Sequence, residues 1–262
     1  MIVVWMEIAA KMVSAALIVV AACLAAERAG PLIGGLVAAL PVSAGPAYAF
    51  LAMEHGPRFI AASAAASLAS LGATAVFGAV FAALARGHGR ALATICALAA
   101  WAVLATLIRA AAPTIGSVAA VDVVVFALCI LATWRWRHAT ATGRPGSSLP
   151  GIALRAGAVM TLVGAVILTG RLLGPAVAGE LALAPIVMTS LGVLLHPRIG
   201  GAATAAVMAN MLPGLSGYVP TLALLGLTAR PLGSVPALLL ALLLCLGWNG
   251  ALLAAARYRL RR

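Results

Sequence analysis

With 262 residues, 65% of them hydrophobic and 8% charged, and a mean hydropathy of +1.16, the chain has too little polar surface to enclose its apolar residues in water. An aromatic content of 5% and the lack of alternating ten-residue segments exclude an outer-membrane barrel and leave an all-α polytopic membrane protein. The net charge of +12 does not point to nucleic acid, because the arginines punctuate apolar runs and form no basic face.

A spanning helix needs about 20 apolar residues. Cutting the chain where charge, Gly and Pro interrupt predicts nine spans, near 4–26, 31–53, 59–85, 91–110, 115–134, 152–170, 175–195, 199–229 and 235–256. The first span holds Glu7 and Lys11, a favourable i,i+4 pair. Its Val20-Ala21-Ala22-Cys23 resembles a lipoprotein cleavage site, but Glu7 precedes Lys11 where a signal peptide has a basic cluster, so the segment reads as an uncleaved span. The second span opens on Gly30-Pro31 and contains Gly34-Gly35, Pro41, Ser43, Pro46 and Tyr48. Proline is tolerated in the first turn of a helix and breaks it further in, so the Pro41 to Pro46 stretch predicts an unwound turn near mid-membrane.

After the third and fourth spans, the fifth carries Asp122, and the hydrophilic stretch 135–150 reads as a loop between two halves. The seventh span, entered at Gly174-Pro175, repeats the second: Gly30, Pro31, Gly35 and Pro41 map 144 residues on to Gly174, Pro175, Gly179 and Pro185. It carries Glu180, Thr189 and Ser190. The eighth holds Asn210 just before Pro213-Gly214, where a further break is expected. Residues 1–110 and 152–262 therefore read as two four-helix repeats, with 111–151 as a linker helix and loop, and the odd linker inverts the second repeat.

Lysine and arginine place the ends. Nine spans put twelve of these residues on one side and five on the other, against nine and eight if the eighth span were split in two. Cationic residues collect on the cytoplasmic side. The expected setting is thus the bacterial inner membrane, with the N-terminus outside and the C-terminus cytoplasmic.

The run Gly34-Gly35-Leu36, the mid-helix Pro41, the small residues through Ala49, then Gly56 and the Ser63-containing helix resemble the small four-span inner-membrane proteins of the GlpM family, each half matching one unit. The resemblance covers the first hundred residues best. It implies an inner-membrane protein and carries no catalytic residue over to this chain.

Charges inside a bilayer are costly and therefore functional candidates. Counted along their helices at about 1.5 Å per residue, Glu180, Asp122 and Lys11 lie at a common depth in the outer half, roughly 9–11 Å from the edge. They are expected to form one cluster that couples transport to protons. The helix breaks at Pro41, Pro46, Pro185 and Pro213 would offer unpaired backbone groups to a substrate, lined by Ser43, Tyr48, Thr189, Ser190 and Asn210. Arg109 and Arg171 are expected to snorkel toward the outer edge.

The four cysteines lie in apolar runs without CxxC or His at ligand spacing, so no metal, cofactor or disulfide framework is expected. With no P-loop, nucleophile elbow or HExxH, an enzyme is not the expectation either. The functional expectation is a proton-coupled secondary transporter or exporter of a small solute or lipid-linked substrate. The alternative is a non-transporting subunit or scaffold that supports envelope or polysaccharide assembly. Its partners would be the lipid bilayer, the substrate and protons, with a homodimer allowed and no nucleic acid.

Overall fold

The structure, a computed structural model, describes residues 2–28, 44–111, 114–139 and 149–260. Among these residues there is no strand. The helices are α1 (Ile2–Arg28), α2 (Ala44–Glu54), α3 (Pro57–Ala85), α4 (Arg90–Ala111), α5 (Ile115–Thr133) with a 3-10 turn at Trp134–Trp136, and α6 (Leu149–Leu173). They continue as α7 (Pro175–Ala182), α8 (Ile186–Ile199), α9 (Gly201–Ser216), α10 (Tyr218–Leu232) and α11 (Ser234–Leu260).

Seven segments among the described residues are long and apolar enough to cross a membrane: Pro57–Ala85, Arg90–Ala111, Ile115–Trp136, Gly151–Leu173, Pro175–Ile199, Gly201–Leu232 and Ser234–Ala255. They coincide with the third to ninth expected spans. Helix α1 covers the first, and α2 the end of the second. The predicted Gly30-Pro31 start, Pro41 and Ser43 lie outside the described residues. Pro46 falls in the first turn of α2, where a missing amide is harmless.

Helix α3 is the centre of the bundle: 72% of its most apolar window is buried, against 22% for α4, α5 and α11. Its sequence explains this. From Ala61 to Ala75 it is almost entirely Ala, Ser, Gly and Thr, and small side chains let neighbouring backbones approach closely. Helices α4, α5, α7, α9 and α10 all pack on it. The outer helices instead turn large apolar side chains such as Val103, Leu128 and Leu243 outward, each at least 60% exposed, as lipid-facing helices do.

Consecutive spans of the second half are joined by single glycines. Gly174, Gly200 and Gly233 have φ of 86°, 83° and 88°, a conformation that L side chains rarely adopt. Each donates its amide to the last turn of the helix before it, and its carbonyl accepts from the first turn of the helix after it. Each reversal thereby gives the turn glycine's own amide and carbonyl a partner.

These reversals bring residues to two faces. One gathers Glu54, Arg58, Arg171 and Arg230, with Gly56, Pro57, Arg58 and Arg230 lining a cleft of about 690 Å³. The other gathers Arg86, Arg90, Trp134, Trp136 and Arg137 with His88 and His196.

One expected break moves. Pro213 lies inside α9, and the helix turns only at Gly217. Proline removes the amide that would bond the carbonyl four residues back, here Ala209. The Arg137 guanidinium takes that carbonyl, with Nε and Nη2 both at 3.4 Å, so α9 continues through the proline. Pro197 in α8 is treated alike, because Arg90 Nη1 reaches the freed Val193 carbonyl at 3.4 Å.

Candidate functional site

The strongest interruption lies between α7 and α8. Pro185 has no amide, so the helix begun at Pro175 stops at Ala182. The amides of Leu183 and Ala184, which a continued helix would send to Gly179 and Glu180, both turn to the Leu181 carbonyl. Three carbonyls, those of Gly179, Glu180 and Leu183, take side-chain donors inside an apolar bundle, where an unpaired one is costly.

Helix α3 supplies the donors. Ser63, Ser67, Ser70 and Thr74 recur at spacings of four, three and four, which places them along one helix face. Ser67 Oγ donates to the Gly179 carbonyl at 2.6 Å, Ser70 Oγ reaches that of Glu180 at 3.4 Å, and Thr74 Oγ1 donates to that of Leu183 at 3.0 Å. Because the single Ser67 proton is committed to Gly179, the Tyr48 hydroxyl, 2.6 Å away, donates to Ser67. Trp101 Nε1 in turn donates to Thr74 Oγ1 at 3.2 Å. Gly179 lies so close to α3 that a Cβ there would overlap the Ser63 carbonyl.

The expectation that this break offers bare carbonyls to a substrate is therefore corrected, because α3 hydroxyls hold all three. What stays unspent is the Ser63 hydroxyl, fully buried and without a partner. Thr189 and Ser190 bond the carbonyls of Pro185 and Val187 within their own segment. Asn210 is exposed and donates to the carbonyls of Ala206 and Arg137, which puts it beside the arginine-rich turn after α5 and away from the α7–α8 break.

The three ionisable candidates are not joined by any hydrogen bond or ion pair. Lys11 Nζ bonds Glu7 and Glu54, each at 2.5 Å. Glu54 also holds Arg171 through two bonds, Nε–Oε2 at 2.6 Å and Nη2–Oε1 at 2.8 Å. This four-residue cluster ties α1, α2 and α6 together at one face. Burial pushes the Glu54 carboxyl up, but the Arg171 guanidinium and the Lys11 ammonium outweigh it and hold Glu54 below the usual carboxylate range. Glu180 pairs with Arg109 of α4 at 3.1 Å, so Arg109 and Arg171 both end on carboxylates. Asp122 is fully buried against Gly72 of α3, and neither of its oxygens has a partner. The expected single cluster of Glu180, Asp122 and Lys11 is therefore not formed, because each meets the neighbours of its own helix.

The pairing of Glu54 with Arg171 escaped sequence reasoning because they lie 117 residues apart with no local pattern between them. The hydroxyl ladder of α3 did have a signal in its periodic Ser and Thr. No group of three His, Cys, Asp or Glu side chains among the described residues is placed to hold a metal. Cys96, Cys129 and Cys245 are free thiols.

No protein-family profile, characterised protein or solved structure matches this chain.

Proposed function

We propose that this protein is a proton-coupled secondary transporter of a small solute or lipid-linked substrate, in which the broken helix α7–α8 moves against α3. The observation that carries the reading is the clasp itself. Side-chain hydroxyls, which can release and re-form bonds, hold the carbonyls of an interrupted membrane helix at the bundle centre.

Two inverted halves, residues 1–110 and 152–262, accompany this reading, with nine spans in all. Punctuation supports them: Gly174, Gly200 and Gly233 each have a glycine 144 residues earlier, at Gly30, Gly56 and Gly89. Helices α3 and α4 likewise start 144 residues before α9 and α11. Glu54, at the end of α2, meets Arg171, just before the start of α7, so α2 arrives at the face from which its counterpart leaves. That is the opposite sense an inverted repeat requires. The face with Arg86, Arg90, Arg135 and Arg137 then lies in the cytoplasm, with the N-terminus outside an inner membrane. The likeness to GlpM proteins fits the same four-span unit.

The test is proton flux in proteoliposomes loaded with a pH-sensitive dye and challenged with panels of anionic, cationic and neutral solutes. Flux driven by one solute class supports transport. Absence of flux for every class, together with stoichiometric co-purification of another membrane protein, favours a scaffold subunit.

A further inference from the structure

We propose that Asp122 is the proton-binding site of this protein, a carboxyl enclosed between α3, α4 and α5 whose missing partner is the proton itself. The proposal rests on the transport reading only for what moves the proton, and binding can be tested without any substrate.

The geometry isolates the carboxyl. Asp122 has no exposed surface, and both oxygens lack a hydrogen-bond partner. Gly72 of α3 yields the space it occupies: a Cβ there would overlap Oδ1 and stand 3.3 Å from Ile108 Cδ1 of α4. Buried residues above and below it on α5 are Val118, Phe126 and Cys129.

Every element packed against it lacks a counter-charge within reach. The ionisable side chain of α3 is Arg58, in its first turn; those of α4 are Arg90, Cys96 and Arg109, the last paired with Glu180. Helices α9 and α10 contribute Tyr218 and Arg230, and α5 itself adds the Cys129 thiol. None of them hydrogen-bonds or ion-pairs with Asp122.

An ionised carboxylate only accepts hydrogen bonds, and here no side chain donates to it, while the nearby Gly72 backbone amide makes no bond of normal geometry with either oxygen. A positive occupant is needed to complete the site. A metal cation requires several oxygen ligands, whereas no ligating cluster surrounds Asp122 and the carbonyls of α3 and α5 are engaged in their own uninterrupted helices. A proton needs one oxygen and no shell. Binding converts the carboxylate to a carboxylic acid, and release returns the proton to water with no other bond changed. Helix α3 couples this to transport, since the ladder of Ser67, Ser70 and Thr74 grips the α7–α8 break while Gly72 abuts Asp122.

The experiment uses the full chain in lipid and the apolar probe dicyclohexylcarbodiimide. A protonated carboxyl adds to it, its proton passing to a carbodiimide nitrogen and its oxygen to the central carbon, and an acyl shift to nitrogen leaves a stable N-acylurea. Peptide mapping by mass spectrometry should find one adduct at Asp122 that declines as pH rises, and Glu180→Gln should label as the parent does. In Asp122→Asn the adduct and the infrared carbonyl stretch of a buried carboxylic acid should both disappear. Labelling confined to Glu54 or Glu180, or an acid band that survives in Asp122→Asn, overturns the proposal. The parent-chain label keeps the test valid if that variant does not fold. Label at Asp122 without proton flux for any solute defeats the transport reading alone. Flux of unchanged pH dependence in Asp122→Asn defeats the role of Asp122 alone.

Discussion

Glu54→Gln should destabilise the protein by about 2–3 kcal/mol, and the value follows from how its neighbours are placed. Removing one member of a buried ion pair costs about 3–5 kcal/mol, because the remaining charge is stranded. Glu54 and Lys11 side chains are each 9% exposed, so the ammonium cannot turn to water. Two features bring the loss below that range. Arg171 is 26% exposed and can reach solvent, and Lys11 keeps its bond to Glu7. Glu7→Gln alone should have little effect, since Glu7 is half exposed. The double variant should lose more than the two singles together, because each carboxylate backs up the other. Lys11→Met in the Glu54→Gln background removes the stranded ammonium and should recover part of the loss. The assay is equilibrium unfolding in mixed micelles by titration with dodecyl sulfate, followed by tryptophan fluorescence. A Glu54→Gln change within about 0.5 kcal/mol of the parent, or a Lys11→Met addition that deepens the loss, would refute the reasoning. The pH sign follows from Glu54's depressed pKa. Its contribution is complete above the ordinary value of 4.5 and is lost as pH falls through the lower folded-state value, so Glu54→Gln should flatten the acid limb of the stability profile.

Ser67→Ala should cost about 1–2 kcal/mol in the same assay, because it strands the Gly179 carbonyl and the Tyr48 hydroxyl, and Ser70→Ala should cost less since its bond to Glu180 is longer. The reverse order would mean that the clasp does not hold the break. Gly179→Ala should lower the thermal midpoint by driving α7 off the Ser63 backbone, whereas Gly247→Ala, with open space around it, should be neutral or stabilising by roughly 0.5–1 kcal/mol. A reporter active only in the cytoplasm should give signal when fused after Arg262 and none before Met1; signal from both would sink the nine-span reading.

Composition and punctuation alone determined the class of this protein and most of its helix boundaries. An apolar run of spanning length bounded by Gly, Pro or Arg has one low-energy solution in a bilayer, a helix, and Gly-Pro or Pro marks where it starts or fails. That is why the stops at Gly174 and Pro185 were legible before any coordinates. Tertiary structure decided which of those signals take effect and what each polar group meets. Pro213 does not break α9, because Arg137, 76 residues earlier in sequence, supplies the donor that the proline removed. Counting residues along a helix assigns Lys11, Glu180 and Asp122 a depth, since rise per residue is fixed. Their partners depend on the rotation of each helix and its place around the bundle, which sequence spacing along one helix does not encode. Packing α1 on α2 gave Lys11 to Glu54, the reach of Arg109 from α4 gave Glu180 its partner, and the fit of α5 against Gly72 left Asp122 apart from both.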